Sequence, residues 1–281
     1  MASFAPTFCG LFPHPPIVVP AVGRERHAEC QATYTACREL ARRLVASIPQ
    51  RVFVVSPHSP RRPTAFGLWS GDRLRGDLTR FGASSARVDL ANDGALREPL
   101  DRALDALGET LWSIPPQGHE PGLDHGAFLD HGAVIPLWFL AEAGWQGPTA
   151  VASLPIHCQP DRLRTFGRAL AEALAELGEP AALAASGDMS HRVLPGAPAG
   201  YHPRAVEFDQ QLTDLVRQGN LAAIAGIDPE LRELAAEDTA DAVMLVAAAL
   251  GDGHRKAEVL SYEHPFGVGY LVADFGAGEA Q

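Results

Sequence analysis

The sequence lacks most of the features that place a chain in a specialised class. Its four cysteines (Cys9, Cys30, Cys37 and Cys158) include no CxxC pair, which argues against a zinc or dithiol site built on thiols. Cys30 and Cys37 stand seven apart on a stretch of helical spacing, which suits core packing better than a disulfide. Basic charge is scarce: 23 Lys and Arg face 34 Asp and Glu, a net of −11. Nucleic acid and anionic membrane surfaces both need a basic footprint, so neither is expected as a partner. The longest apolar run, Ala242 to Leu250, is about half of the ~18 residues that a membrane span requires. No basic segment followed by an apolar one opens the chain, and a cytoplasmic protein is expected. No low-complexity linker divides it either. With 281 residues, 46% hydrophobic and 20% charged, the chain is expected to form one α/β domain across residues 1–281 around a sizeable core.

Histidine, by contrast, is plentiful, with eleven in all. His14, His58, His119, His125, His131, His157, His191 and His264 fall in Gly/Pro-punctuated loops or at element ends, where a rigid scaffold presents binding residues. His27, His202 and His254 read as solvated. The run Val52 to Val55 has the composition of a strand buried on both faces. Ser56-Pro57 ends it, because proline supplies no ladder donor. His58 then sits past the carboxyl end of the strand, where open α/β sheets place their chemistry. The same pattern occurs earlier, in Phe8 to Phe12 followed by Pro13-His14-Pro15-Pro16. Two strand-end histidines in stiffened loops meet side by side if their strands are neighbours.

Between them, Cys30, Tyr34, Cys37, Ala41, Leu44 and Ile48 recur at helical spacing and predict a helix from about Gly23 to Ile48. That makes a β-α-β unit with parallel strands. Further strands are predicted at Thr64 to Ser70, Leu111 to Ile114, Thr149 to Leu154 and Ala181 to Ser186, with a closing pair at Val259 to Tyr262 and Val268 to Phe275. Leu74 to Ser84 reads as polar loop. Helices are predicted at Leu96 to Leu107, Ala133 to Ala143, Pro160 to Leu177, 204–217, 219–226 and 228–250. A long loop from Gln117 to Gly132 carries an internal echo, Leu123-Asp-His-Gly-Ala and Leu129-Asp-His-Gly-Ala. Asp188 reads as a local turn residue. Arg61, Arg62 and Arg192 lie near the candidate loops and could hold a substrate carboxylate.

Two imidazoles and a carboxylate on one face of a metal, with open positions opposite, suit non-haem Fe(II) and its O₂ chemistry. For the carboxylate the sequence offers Glu233, Glu237, Asp238 and Glu263. Five motifs now stand in order: Gly-Leu-Phe-Pro-His14-Pro-Pro, Ser-Pro-His58, Ser70-Gly-Asp with Arg80-Phe-Gly-Ala, Asp130-His131-Gly-Ala-Val-Ile-Pro-Leu, and Ala185-Ser-Gly-Asp-Met-Ser-His191-Arg. With His264-Pro-Phe-Gly-Val-Gly-Tyr270 at the end, the chain resembles the catalytic subunit of class III extradiol ring-cleavage dioxygenases, a superfamily that includes Memo-like proteins. The resemblance runs across nearly the whole chain.

The resemblance implies a mixed central sheet flanked by helices on both faces, in three αβα layers. It implies Fe(II), with Zn²⁺ or Mn²⁺ as alternatives, held by His14, His58 and a carboxylate. Glu237 is the matching position, followed by Asp238 and Glu263. His191 matches the acid/base histidine and His131 a second active-site histidine, with His125 as the other register. The implied partners are O₂ and a small aromatic diol or o-aminophenol, with a homo-oligomer expected and a second small subunit left open. Two other classes compete. A Memo-like protein would bind partners without ring cleavage, and a Zn²⁺ hydrolase would use metal-bound water on the same ligands.

Overall fold

Four runs buried at every residue form the centre of the sheet: β1 (Phe8–Phe12), β2 (Arg51–Ser56), β7 (Thr149–Ser153) and β8 (Ala181–Ser186). Continuous burial of this kind is what a parallel sheet covered on both faces produces. The computed structural model describes residues 6–115, 129–251, 253 and 256–277. The remaining strands are β3 (Phe66–Trp69), β4 (Arg73–Leu78), β5 (Ala83–Ala91), β6 (Leu111–Ile114), β9 (Glu258–Glu263) and β10 (Tyr270–Gly276). Eight of them pair in the order β6-β3-β7-β2-β8-β1-β10-β9, and β4 with β5 forms a separate two-stranded sheet. The sheet is mixed: β7, β2, β8 and β1 run parallel, while β3 is antiparallel to β7 and β10 antiparallel to β1.

Alternation along β2 divides the interior into two cores. Phe53 and Val55 face one, with the helices Gly94–Asp105, Pro160–Leu177, Ala205–Arg217 and Ala240–Leu250. Val52 and Val54 face the other, with the helices Gln31–Ala46 and His131–Glu142 and the β4–β5 hairpin. This is the three-layer α/β arrangement. No helix among the described residues is long and apolar enough to cross a membrane.

β1 and β2 run parallel as expected, with β8 between them. Three expectations are corrected. The expected loop at Leu74 to Ser84 is mostly hairpin, with leucine and arginine alternating between core and solvent along β4. The expected helix at 228–250 is two helices, Pro229–Ala235 and Ala240–Leu250, separated at Ala236, whose φ of 53° is left-handed. His27 is not simply solvated, since its ring packs edge-on against Tyr34 at 4.6 Å. His119, His125 and His254 lie outside the described residues.

One buried carboxylate ties three elements together. Asp209, on the helix Ala205–Arg217, is fully buried. It accepts hydrogen bonds from the Tyr262 hydroxyl on β9 at 2.7 Å and from the Ser190 N–H at 2.8 Å. Burial pushes its carboxyl up to about 7, against the pull of those two donors. Glu237 raises it further and His191 opposes. A carboxyl whose folded value is raised binds an extra proton when folded. Its contribution is therefore full below about pH 4 and is lost as pH rises toward 7, at no more than about 1.4 kcal/mol per pH unit. Asp209→Asn should flatten that part of the stability profile, since an amide can satisfy both partners without titrating. Urea midpoints of both proteins between pH 4 and 8 measure it, and parallel profiles would remove Asp209 from the account.

Candidate metal centre

Three strand ends, side by side at the carboxyl edge, supply the site. β1 leads through Pro13 into His14, β2 through Pro57 into His58, and β8 between them into Gly187-Asp188. The intervening strand bridges the histidines. Ser186, its last residue, donates its hydroxyl proton to the Gly132 carbonyl at 2.5 Å and lies 2.9 Å from His14 Nδ1. A hydroxyl has one proton, so Ser186 must accept from His14 Nδ1–H. The tautomer is thereby set, and His14 Nε2 carries the lone pair of the neutral ring. That atom lies 3.0 Å from His58 Nε2. The two predicted histidines thus point at one spot, across a strand instead of side by side.

A carboxylate completes the group, and it is Asp238. Its Oδ2 lies 3.1 Å from His58 Nε2 and 3.5 Å from His14 Nε2, while its Oδ1 accepts from the Asp188 N–H at 2.7 Å. Glu237, the matching position in the sequence, points the other way. Its Oε1 accepts from Arg232 Nε at 2.6 Å, and its Oε2 takes the Thr239 and Ala240 N–H groups at 2.7 and 2.8 Å, capping the helix Ala240–Leu250. Three N–H donors tie both of its oxygens to the fold, and the structure corrects the expectation by turning Glu237 away from the histidines. Glu263 is also elsewhere, accepting from the Thr33 N–H and hydroxyl at the start of the helix Gln31–Ala46. The turn can approach the histidines only because residue 187 is glycine. A Cβ there would meet Thr239 Cα at 2.4 Å.

His131 opens the helix His131–Glu142, which Asp130 caps by accepting from the Ala133 N–H. Asp130 also receives the hydroxyls of Ser56 at 2.6 Å and Ser59 at 2.5 Å, so β2 and this helix are clamped together. The His131 ring stacks on His58 with centroids 4.4 Å apart and stands edge-on to His14 at 5.3 Å. Among the described residues, His14, His58 and His131 each place a nitrogen within 4.8 Å of the others.

Electrostatics follow from this crowding. Burial pulls the His14 imidazole down, but Asp188 and Asp238 outweigh it and lift it to about 9. Burial pushes the Asp238 carboxyl up, yet His14 and His58 hold it far below the ordinary carboxylate range. His131 is depressed to about 4 by burial and by its two imidazole neighbours. Asp188 is not a local turn residue. Its Oδ1 accepts the His14 N–H at 2.8 Å, and burial raises its carboxyl.

His191 stands apart from this group. Its backbone N–H bonds the Ala235 carbonyl at 2.9 Å, and its Nδ1 lies 2.8 Å from the Ala236 carbonyl. A carbonyl only accepts, so Nδ1 carries the proton and Nε2 is the ring's acceptor. His191, His131 and Asp188 line a cavity of about 610 Å³ with Pro15, Pro265 and Phe266 among its walls. His157 is exposed. Arg61 is committed to the Leu154, Pro155 and Ile156 carbonyls, Arg62 lies over the Trp112 ring, and Arg192 bonds Leu234. None of the three lines the cavity. Among the described residues, the cation that does is Arg26, over the Phe266 ring at 4.5 Å, which the sequence reading missed.

Comparison with known proteins places the chain in a family. Residues 9–273 match the family described as the catalytic LigB subunit of aromatic ring-opening dioxygenase. Protein CA_C1420 of Clostridium acetobutylicum is 30% identical over 264 residues, which cover 93% of this chain and 56% of that protein. The chain thus spans about half the length of that curated relative. The crystal structure of uncharacterized protein JW3007 from Escherichia coli K12 shares the fold, with a TM-score of 0.61 over 95% of this chain and 98% of the other at 18% identity. A strand-edge cluster of imidazoles and a carboxylate, set in a match spanning almost the whole chain, shows that the protein belongs to the family of LigB catalytic subunits of aromatic ring-opening dioxygenases.

Proposed function

We propose that the protein is a non-haem Fe(II)-dependent extradiol dioxygenase that opens a catechol-type or o-aminophenol-type ring with O₂. The observation that carries this reading is the convergence of His14 Nε2, His58 Nε2 and Asp238 Oδ2 beside a cavity that also holds His191. The donor set fits the metal. Two imidazoles and one carboxylate are the ligand types of Fe(II) oxygenases, and in this set His14 offers a lone pair whose direction Ser186 fixes. When bound, Fe(II) would hold the substrate oxygens and O₂ together and supply the redox chemistry.

The chain itself handles orientation and protons. The proline and phenylalanine walls of the cavity present rigid apolar surface to a flat ring. His191 Nε2, free because Nδ1 is bonded to Ala236, takes the proton of a substrate hydroxyl and returns it after ring opening. His131, held neutral by its surroundings, stands between the ligand histidines and the cavity and offers a hydrogen bond without adding charge. A second reading rests on the three-histidine group. His14, His58 and His131 together form a set that suits Zn²⁺ and metal-activated water.

Metal analysis with O₂ uptake over a panel of catechols separates the two, because a zinc hydrolase consumes no O₂. Asp238→Asn should lose metal, whereas full occupancy in that variant would return the role to His131. His191→Ala should keep iron and catechol binding while turnover falls by on the order of 10²–10⁴, the usual cost of a lost general base. His14→Ala should abolish metal and activity together. Loss of iron in His191→Ala would make it a ligand and favour zinc.

A further inference from the structure

One short turn, residues 235–238, serves two groups that chemistry would keep separate. Its Ala235 carbonyl accepts from the His191 N–H and the Ser190 hydroxyl, and its Ala236 carbonyl fixes His191 Nδ1. Two residues later, Asp238 faces His14 and His58. The backbone of this turn is unfavourable by itself, since Ala236 is a non-glycine residue at φ 53°. Something outside the turn must hold it.

We propose that Arg232 and Glu237 are positioning residues that hold this turn, so that one clasp orients both the metal-facing carboxylate and the proton-carrying histidine. This rests on the reading above for the roles of Asp238 and His191. The Arg232 guanidinium reaches forward from the helix Pro229–Ala235. Its Nε bonds Glu237 Oε1 at 2.6 Å, and its second arm bonds Asp241 Oδ1 at 2.6 Å, in the next helix. Glu237 passes the restraint on through the Thr239 and Ala240 N–H groups. Arg232 thus spans the left-handed break from one helix to the other. Its planar fork can hold two carboxylates in fixed directions, which an ammonium cannot. The Glu237 side chain is only 2% exposed, so its pairing with Arg232 is screened less than a surface pair would be. None of its atoms is within the metal group or the cavity lining, so its effect must travel through the turn.

The test is Arg232→Met and Arg232→Lys in the full chain, with Fe(II) and Zn²⁺ dissociation constants from chelator competition, kcat and KM for catechol, and the melting temperature as a control. Loss of a group that supports a ligand typically weakens metal binding or activity ~10–100-fold. Arg232→Met should therefore raise both dissociation constants by about that factor and lower kcat in metal-saturated protein with little change in KM. Arg232→Lys should recover part of each. A purely structural role would lower the melting temperature while metal affinity stays within about twofold of wild type, and that result overturns the proposal. If Arg232→Met does not fold, Arg232→Lys is judged by the same two outcomes, with a several-fold loss expected. Zn²⁺ affinity keeps the result separate from the dioxygenase reading, because it changes with the clasp even in a protein that opens no ring.

Discussion

The burial of opposite charges at the end of β8 is the constraint on which the site depends. His14 is 1% exposed and sits between two carboxylates, Asp238 against its ring and Asp188 on its backbone N–H. Removing an ion from water costs several kcal/mol, and a charge pair at 4 Å returns about 4 kcal/mol at an effective dielectric of 20. One carboxylate would roughly break even against burial, while two make the charged imidazole the favoured state of the metal-free protein. The same balance requires that His14, Asp188 and Asp238 stay together, because any one left alone would be an uncompensated buried charge. A divalent cation bound there would replace the proton as the counter-charge to the same two carboxylates.

Much of the rest of the fold supports that arrangement. The Ser186 hydroxyl fixes the His14 ring, Asp130 clamps β2 to the helix that begins at His131, and Asp209 holds the Ser190 N–H. Arg232 and Glu237 hold the turn on the remaining side. These contacts come from different helices and loops, and each ends on backbone or side chain of the β1, β2 and β8 loops or the turn opposite them. Small residues permit the closeness. Gly132 and Gly187 sit where a Cβ would meet Ser56 Oγ at 2.7 Å and Thr239 Cα at 2.4 Å.

The sequence made some of this legible because the relevant signals are local. Continuous apolar runs ended by proline identify β1 and β2 and place His14 and His58 past their ends. The helix Pro160–Leu177 was readable to its first and last residues, because proline opens it and Gly178, at φ 68°, closes it. What failed was non-local or hidden in backbone. Nothing in β1 or β2 states that the alanine-rich β8 will pair between them. The choice between Glu237 and Asp238 depends on the left-handed turn at Ala236, and alanine announces no such turn. In an unbroken helix the two side chains would point about 100° apart with neither selected. The β4–β5 hairpin was misread as loop although its signal is local. The alternation of arginine with leucine and glycine from Arg73 to Leu78 is a period-2 pattern that polarity alone disguised as loop.

His14 and His58 both leave interior strands, β1 between β8 and β10 and β2 between β7 and β8, yet they are held differently. The His14 loop is packed against the Ser186 and Asp188 side chains, and its ring is fixed from behind through Nδ1. The His58 side chain is 38% exposed, its backbone N–H bonds Ser56, His131 stacks on its ring, and its Nε2 meets His14 Nε2 and Asp238 Oδ2. The site therefore has one wall fixed from behind through a ring nitrogen at the end of the sheet, and a second wall in which one imidazole stacks on another at the start of the helix His131–Glu142. His131 belongs to the second wall and to the cavity at once, so the ring that stacks on His58 also faces whatever occupies the cavity.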